Sequence, residues 1–179
     1  MRASRRLAIY TNGNKIFLYK NGDECTAITG GWQGRAWARA DDKGVATTPE
    51  VTKNASNIRI ALWTATGYRD AVLEVKNNID LTNIKTITTT FSHMSLVGMY
   101  TGVYVYVQSR SATYWHTGSA AHVTVANGDG IVLTNKTVSL NVASLKGSYD
   151  VFVAITARGE TTSKNAGVQA TMTQMVLSR

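Results

Sequence analysis

The stretch VYVYV at residues 103–107 decides the class of fold. Valine and tyrosine alternate along it, so in an extended chain the valines lie on one face and Tyr104 and Tyr106 on the other. β-Branched and aromatic residues also favour strands. The stretch therefore predicts a β-strand with one face against a core.

The same period of two recurs along the chain. Clear alternation occurs at residues 57–63, 138–142 and 149–155, and weaker strand patterns occur at 15–19, 32–39, 68–75, 85–91 and 122–133. Phe152 and Ala154 add apolar residues on the second face of their strand, which indicates a central strand covered on both sides. No segment keeps a 3.6-residue apolar period. We therefore expect an all-β antiparallel sandwich of jelly-roll type, with about ten short strands.

The last predicted strand changes phase. Val168, Ala170 and Met172 set one alternation, and Met175 continues it shifted by one residue. A β-bulge inserts one extra residue and shifts the side-chain phase in this way. The sequence therefore predicts a bulge near Gln174.

Length and composition fit one domain that needs no cofactor. A chain of 179 residues with 44% hydrophobic residues can bury a sufficient core without a metal or disulfide. Cys25 is the single cysteine, so it has no partner within the chain. We expect residues 1–14 to form a basic arm or connector and residues 15–179 to form a single sandwich domain.

The charge pattern argues against a nucleic-acid partner. The net charge is +8, and Arg2, Arg5 and Arg6 supply three of those charges within the arm. The other basic residues are scattered, without the dense run typical of a nucleic-acid footprint. No stretch is long and apolar enough for a membrane span or a secretion signal, so we expect no membrane partner.

Three segments resemble a known family. Residues 17–32, FLYKNGDECTAITGGW, resemble the opening of β-sandwich domains in tail-associated proteins of phages and prophages of Gram-positive gut bacteria. Residues 78–83, NIDLTN, and residues 140–149, LNVASLKGSY, look like two further segments of those domains.

The resemblance implies a jelly-roll domain similar to carbohydrate-binding modules. It implies a virion protein made in the bacterial cytoplasm and carried on the phage tail or surface. It also implies a homo-oligomer, with a trimer favoured, in contact with other virion proteins and with host-surface glycan or cell-wall polymer.

The same segments also have a purely structural interpretation. Leu-Thr-Asn and Leu-Lys-Gly-Ser are turn sequences, and Asp80 and Thr82 can bind backbone amides in an Asx- or ST-turn.

A glycan site requires an aromatic ring to stack on a pyranose, with polar groups beside it. Tyr100, Tyr104 and Tyr106 share parity, and Gly102 leaves space between the first two. Tyr114 and Trp115 lie in a Ser/Thr/Gly-rich stretch between predicted strands. These five residues are the candidate glycan-binding residues.

Two alternatives stand beside this hypothesis. The tyrosines can form an ordinary cross-strand ladder, with Trp32, Trp37 and Trp63 filling the core. The chain can also be a purely structural virion subunit, whose aromatic residues are buried against neighbouring copies.

Catalysis is the weaker interpretation. A polysaccharide-degrading enzyme needs two carboxylates across a cleft, and the eleven acidic residues are dispersed, many beside turns. No nucleophile elbow, Walker loop or zinc-protease helix occurs in the sequence. No loop has a ligand series specific to calcium. We therefore expect a binding protein and assign no catalytic or metal-ligating residue, while calcium binding by Asp and Asn residues at turns stays open.

Overall fold

The computed structural model describes residues 11–12, 15–20, 34–38, 50–54, 56–64, 67–98, 100–109, 119–159 and 166–179. These residues form the strands β1 (Thr11–Asn12), β2 (Lys15–Lys20), β3 (Gly34–Ala38), β4 (Glu50–Lys53), β5 (Ile58–Thr64), β6 (Gly67–Asp80), β7 (Thr86–Val97), β8 (Gly102–Gln108), β9 (Ser119–Asn127), β10 (Ile131–Asn141), β11 (Ser148–Gly159) and β12 (Ala166–Ser178). Across the same ranges there is no helix of the length and hydropathy needed to cross a bilayer.

Strand β12 organises the larger sheet, which has seven strands within the described residues. Along one side β12 pairs with β7, and β7 pairs with β10. Along the other side it pairs first with β5 and then with β2. β4 and β1 complete the sheet as partners of β5 and β2, and all of these pairings are antiparallel.

The second sheet has five strands in the order β3-β6-β11-β8-β9, again antiparallel throughout. β11 lies at its centre, as the apolar residues on both of its faces predicted. The β9–β10 connection crosses from this sheet to the larger one. The predicted all-β antiparallel sandwich is confirmed.

The core lies between the two sheets, and the residues described in it come from β5 to β12 and the turns between them. Val103, Val105 and Val107 of β8 are fully buried, as the opening stretch predicted. Burying one such aliphatic side chain contributes about 1.5–3 kcal/mol. The strongest alternations supply further core residues, which include Ile58, Ile60, Leu62, Val151, Val153, Ile155, Val168, Ala170 and Met172.

The predicted bulge in the last strand is present. The register of β12 against β7 shifts between Met172 and Gln174, and both Met172 and Met175 stay buried. At the same level the other neighbour of β12 changes, because Met172 is opposite Ile58 of β5 and Gln174 is opposite Lys20 of β2. The bulge therefore lies where one edge of β12 changes partner.

Two hydroxyl groups satisfy backbone carbonyls at this bulge. Thr173 Oγ1 donates to the carbonyl of Thr90 at 3.3 Å, and Ser92 Oγ donates to the carbonyl of Thr171 at 3.4 Å. The alternation of β7 also changes phase here. The predicted strand at 85–91 is shorter than β7 because the alternation that predicts a strand stops at this change of phase, whereas β7 itself continues to Val97.

The placement of one tryptophan in the core is wrong. Trp63 is 46% exposed, because it follows Leu62 and so points away from the core that Leu62 fills. Trp32 and the side chain of Trp37 lie outside the described residues. Of the predicted arm, Thr11–Asn12 pair with β2, residues 1–10 are not described, and the division into arm and domain stays a prediction.

The segments at 78–83 and 140–149 meet at one end of the sandwich. Asp80 Oδ1 accepts the backbone amide of Thr82 at 2.8 Å, which is an Asx-turn. The amide of Leu81 donates to the carbonyl of Gly147 at 2.9 Å, and the amide of Gly147 donates to Thr82 Oγ1 at 3.1 Å. These hydrogen bonds link the β6–β7 turn to the β10–β11 turn. The structural interpretation of the two segments is therefore confirmed.

The Asp80 turn predicts a pH-dependent contribution to stability. Hydrogen bonds from the Thr82 side chain and backbone lower the pKa of Asp80 from its ordinary value of 3.8. A lowered pKa in the folded state gives stability that is present above the unfolded-state pKa and is lost as the pH falls through the folded value. Asp80→Ala should therefore lower the melting temperature at pH 7, and the difference from the parent should shrink below about pH 4.

Asp80→Asn is the matched control, because an asparagine keeps the turn acceptor but does not titrate in this range. Its melting temperature should differ from that of the parent less than the Asp80→Ala value does at pH 7. A loss of equal size at pH 7 and pH 3 in Asp80→Ala would show that the carboxylate charge makes no contribution.

Candidate functional site

The face of the five-stranded sheet that points away from the core, its outer face, carries aromatic residues, and part of it is covered, because Tyr106 and Ala154 have no exposed surface. Tyr106 is opposite Phe152 of β11, and Tyr104 is opposite Ala154. Directly opposite residues of antiparallel strands share a face. Because the intervening valines fill the core, these four residues lie on the outer side and form a second apolar cluster, the outer aromatic cluster.

Two rings of this cluster are stacked. The ring centroids of Tyr106 and Phe152 lie 4.9 Å apart, and the ring planes are inclined by 10°. Such a pair contributes about 0.5–1.5 kcal/mol beyond the burial of its area. Tyr106 has no exposed surface, whereas Phe152 is half-buried, so Tyr106 supports its neighbour and does not present its own ring to solvent.

Tyr104 packs against the backbone at Gly102. A Cβ atom added to Gly102 would lie 2.6 Å from Tyr104 Cε2 and 2.7 Å from Cζ, which is too close for any side chain. The glycine therefore provides space for the Tyr104 ring, whereas the sequence predicted a space between Tyr100 and Tyr104. Tyr104 itself remains half-buried and is the predicted ring best placed for contact on this face.

Tyr100 does not share the strand face of Tyr104 and Tyr106. β8 begins at Gly102, and Tyr100 lies in the preceding turn with a φ of 61°. The parity argument fails here because alternation holds only within an extended strand. A bulky residue in the left-handed region is uncommon, and such strain clusters at functional sites. Tyr100 is also 57% exposed.

A set of hydrogen bonds holds the turn that carries Tyr100. Thr101 Oγ1 lies 2.5 Å from the carbonyl oxygen of Gly128 and 3.1 Å from that of Gly98, and the two carbonyls share its one hydroxyl hydrogen. The amide of Gly98 donates to Asp129 Oδ1 at 2.6 Å, and the amide of Gly128 donates to the carbonyl of Thr101 at 3.0 Å. The β7–β8 and β9–β10 turns are therefore braced against each other.

Polar residues flank the outer aromatic cluster on neighbouring positions of the sheet. His122 and Thr124 of β9 are exposed, and they lie opposite Tyr106 and Tyr104. Ser119 Oγ lies 3.5 Å from His122 Nδ1. The face thus combines aromatic rings with imidazole and hydroxyl groups that can exchange hydrogen bonds with a polar ligand.

Asp150 has a structural contact at the other end of this face. It is opposite Gln108, and its Oδ1 accepts the backbone amide of Asn78 at 2.7 Å. Asn78 has a φ of 51° beside the irregular pairing of β6 and β11. The carboxylate therefore stabilises a departure from regular strand geometry.

The structure brings Tyr104 and Tyr106 together and places Tyr100 on the turn before their strand. Tyr114 and Trp115 lie outside the described residues, so their part in a site stays a prediction. Phe152 was not among the candidates, because alternation within β11 cannot reveal which strand lies beside it. The apolar residues on the second face of β11 were the available signal.

Within the described ranges no group of three or more His, Cys, Asp or Glu residues is placed to share a metal ion.

No protein-family model and no curated protein sequence matches the chain. Among solved structures, the Endo-D glycoside hydrolase domain Spr0440 from Streptococcus pneumoniae R6 is similar at 15% identity and a TM-score of 0.47. The match covers 82% of this chain but only 21% of that one.

Two carbohydrate-binding modules are similar over most of both chains. The module CBM29_1 from Piromyces equi has 8% identity and a TM-score of 0.43, covering 92% of this chain and 90% of that one. The low-affinity xylan-binding module CBM86 from Roseburia intestinalis has 12% identity and a TM-score of 0.40, covering 82% and 95%. Similarities of this size bear on neither ligand nor activity. None of these three is described as a phage or tail protein, so the phage resemblance stays a prediction.

The strained turn predicts that Tyr100 is held at a cost to stability. A left-handed conformation costs a typical side chain about 1–2 kcal/mol, and asparagine tolerates it better. Tyr100→Asn should therefore raise the free energy of unfolding by about 0.5–1 kcal/mol in a urea titration. Tyr100→Phe keeps the ring and the backbone strain and should therefore not raise the free energy of unfolding. A destabilised Tyr100→Asn would show that the tyrosine is retained for packing.

Proposed function

We propose that the chain is a non-catalytic glycan-binding module whose ligand lies on the outer face of the five-stranded sheet. The observation that carries the proposal is the outer aromatic cluster, which lies outside the sandwich core. The core already accounts for the valines of β8 and β11, so the rings on the opposite face are not needed to hold the two sheets together.

The chemistry of this face suits a sugar ring. A pyranose presents an apolar C–H face and a rim of hydroxyl groups, so it needs a ring to stack on and nearby groups that donate and accept hydrogen bonds. Tyr104 supplies the ring, and the exposed His122 and Thr124 of the neighbouring strand supply polar atoms. The buried ring of Tyr106 stacks on the ring of Phe152 and limits its movement. Such pre-ordering limits the conformational entropy lost on binding.

The strained Tyr100 extends the proposed site towards the end of the sandwich. Its turn is held by Thr101 and Asp129, so the exposed ring is carried on a fixed backbone. Tyr114 and Trp115 belong to the proposal as further ring contacts predicted from the sequence.

The absence of catalysis is also part of the proposal. Glycoside hydrolysis uses a pair of carboxyl groups that act on the substrate. Asp150, which is opposite Gln108 at one end of the face, instead receives the backbone amide of Asn78. This structural contact supports binding without reaction.

Location on a phage virion, as a homotrimer among other virion proteins, stays a prediction of the resemblance. Two of the segments that carry the resemblance, at 78–83 and 140–149, are accounted for by the turn contacts between Leu81, Thr82 and Gly147. They therefore support the fold more than the location. Light scattering of the purified protein tests the trimer, which requires three times the mass of the chain.

The proposal predicts saturable binding to a glycan or cell-wall polymer that depends on Tyr104. In a panel of soluble polysaccharides measured by affinity electrophoresis and calorimetry, Tyr104→Ala should weaken binding to the preferred ligand about ten-fold or more, which corresponds to about 1.4 kcal/mol. Val132→Ser is the matched control, because Val132 is 63% exposed on the other sheet. Its affinity should equal that of the parent.

Both variants must keep the parent's thermal transition. A folded Tyr104→Ala protein with parental affinity at every binding site would remove the site from this face. A parent protein that binds nothing in the panel would contradict glycan binding itself.

A further inference from the structure

The outer face of the seven-stranded sheet also carries an exposed aromatic ring, on the opposite side of the sandwich from the outer aromatic cluster. Trp63 of β5 is opposite Gly167 of β12. A Cβ atom added at Gly167 would collide with three atoms of the indole, Cε3, Cζ3 and Cδ2. The benzene part of the ring therefore covers the glycine backbone, and 46% of the residue stays exposed.

A set of polar side chains lies beside Trp63 on the same face of the sheet, around Ala61, which is two residues before Trp63 on β5. Arg59 Nη1 lies 3.1 Å from Glu50 Oε2, and Arg59 Nη2 donates to Gln169 Oε1 at 3.0 Å. Glu50 and Gln169 are both opposite Ala61, which is fully buried between them. The guanidinium is thus held from both sides, with its two terminal nitrogens engaged by different strands.

The register fixes the spacing between the ring and this polar set. Gln169 is two residues beyond Gly167 on β12, which corresponds to about 7 Å along a strand. Both lie on the outer face, because Ile60 and Leu62 point into the core. One short oligosaccharide can therefore touch the indole and the polar set together.

The charges of the polar set favour a neutral sugar. Arg59 and Glu50 form an ion pair, so the set carries no net charge. Guanidinium N–H groups donate and carboxylate and amide oxygens accept, and a pair of neighbouring sugar hydroxyls can satisfy both kinds of group. An anionic sugar would have to displace Glu50 from the guanidinium.

We infer that Trp63, Arg59, Glu50 and Gln169 form a second glycan-binding surface, which takes a neutral pyranose chain stacked on the indole. The module then binds glycan on both outer faces. This site shares its ligand class with the proposed function but uses none of the same residues. Each of the two sites can therefore be tested without the other.

Calorimetric titration with neutral β-1,4-linked hexasaccharides (cellohexaose, mannohexaose and xylohexaose) tests the second site. The parent should bind two ligands per chain, and Tyr104→Ala should retain one. In the Tyr104→Ala background, Trp63→Leu should weaken the remaining binding at least ten-fold. Gly167→Ala should do the same with the indole still present, because the added Cβ displaces the ring. Val132→Ser is the control on the same sheet and should leave both sites intact.

The outcomes separate the two sites. Parental binding in a folded Trp63→Leu protein overturns the second site and leaves the proposed function in place. Binding lost in Trp63→Leu but unaffected by Tyr104→Ala supports the second site and removes the first. If the parent is an oligomer by light scattering and Trp63→Leu dissociates it without changing glycan affinity, the surface joins copies of the chain and the inference is wrong. The binding data of Gly167→Ala are interpreted only if its melting transition remains cooperative. If it does not, Trp63→Leu alone tests the second site.

Discussion

A strand can give only every second side chain to the core between two sheets, so the other side chains of each strand point outwards. Once Val103, Val105 and Val107 point inwards, Tyr104 and Tyr106 must point outwards. The core between the sheets does not include these two tyrosines, and both sheets have aromatic rings on their outer faces.

Along β12 the alternation of inward and outward side chains shifts by one residue at the point where one of its neighbouring strands changes. β12 pairs with β7 along its whole length but with β5 and β2 in turn on its other edge. A bulge at that point shifts its phase so that Met172 and Met175 both reach the core. Thr173 and Ser92 donate to carbonyls of the neighbouring strand at the break.

The fold could be predicted because alternation is a local property. The inward residues of β5, β8 and β11, and the bulge near Gln174, were all legible in short windows of sequence. The outward position of Trp63 could also be predicted, because Trp63 alternates with the inward-facing Ile58 and Leu62. It was assigned to the core because of its residue type, and period is the stronger guide when the two disagree.

The site was only partly predictable, because it depends on which strands become neighbours. Tyr104 with Gly102 lies within one strand and was found. The stack of Tyr106 on Phe152 joins strands far apart in the sequence, and the bond from Arg59 to Gln169 spans 110 residues. Tyr100 was misplaced for a different reason, since the strand starts two residues after it and parity has no meaning in a turn.

Amide NMR of the labelled protein, titrated with its preferred glycan, would show whether outward-facing residues of the sandwich hold the ligand. We expect saturable shifts that cluster on β8, β9 and β11 around Tyr104 and Phe152. For a neutral glycan we expect a separate group around Trp63 and Gln169. Saturable shifts confined to residues away from both outer faces, or no shifts with any glycan, would mean that these faces do not bind the ligand.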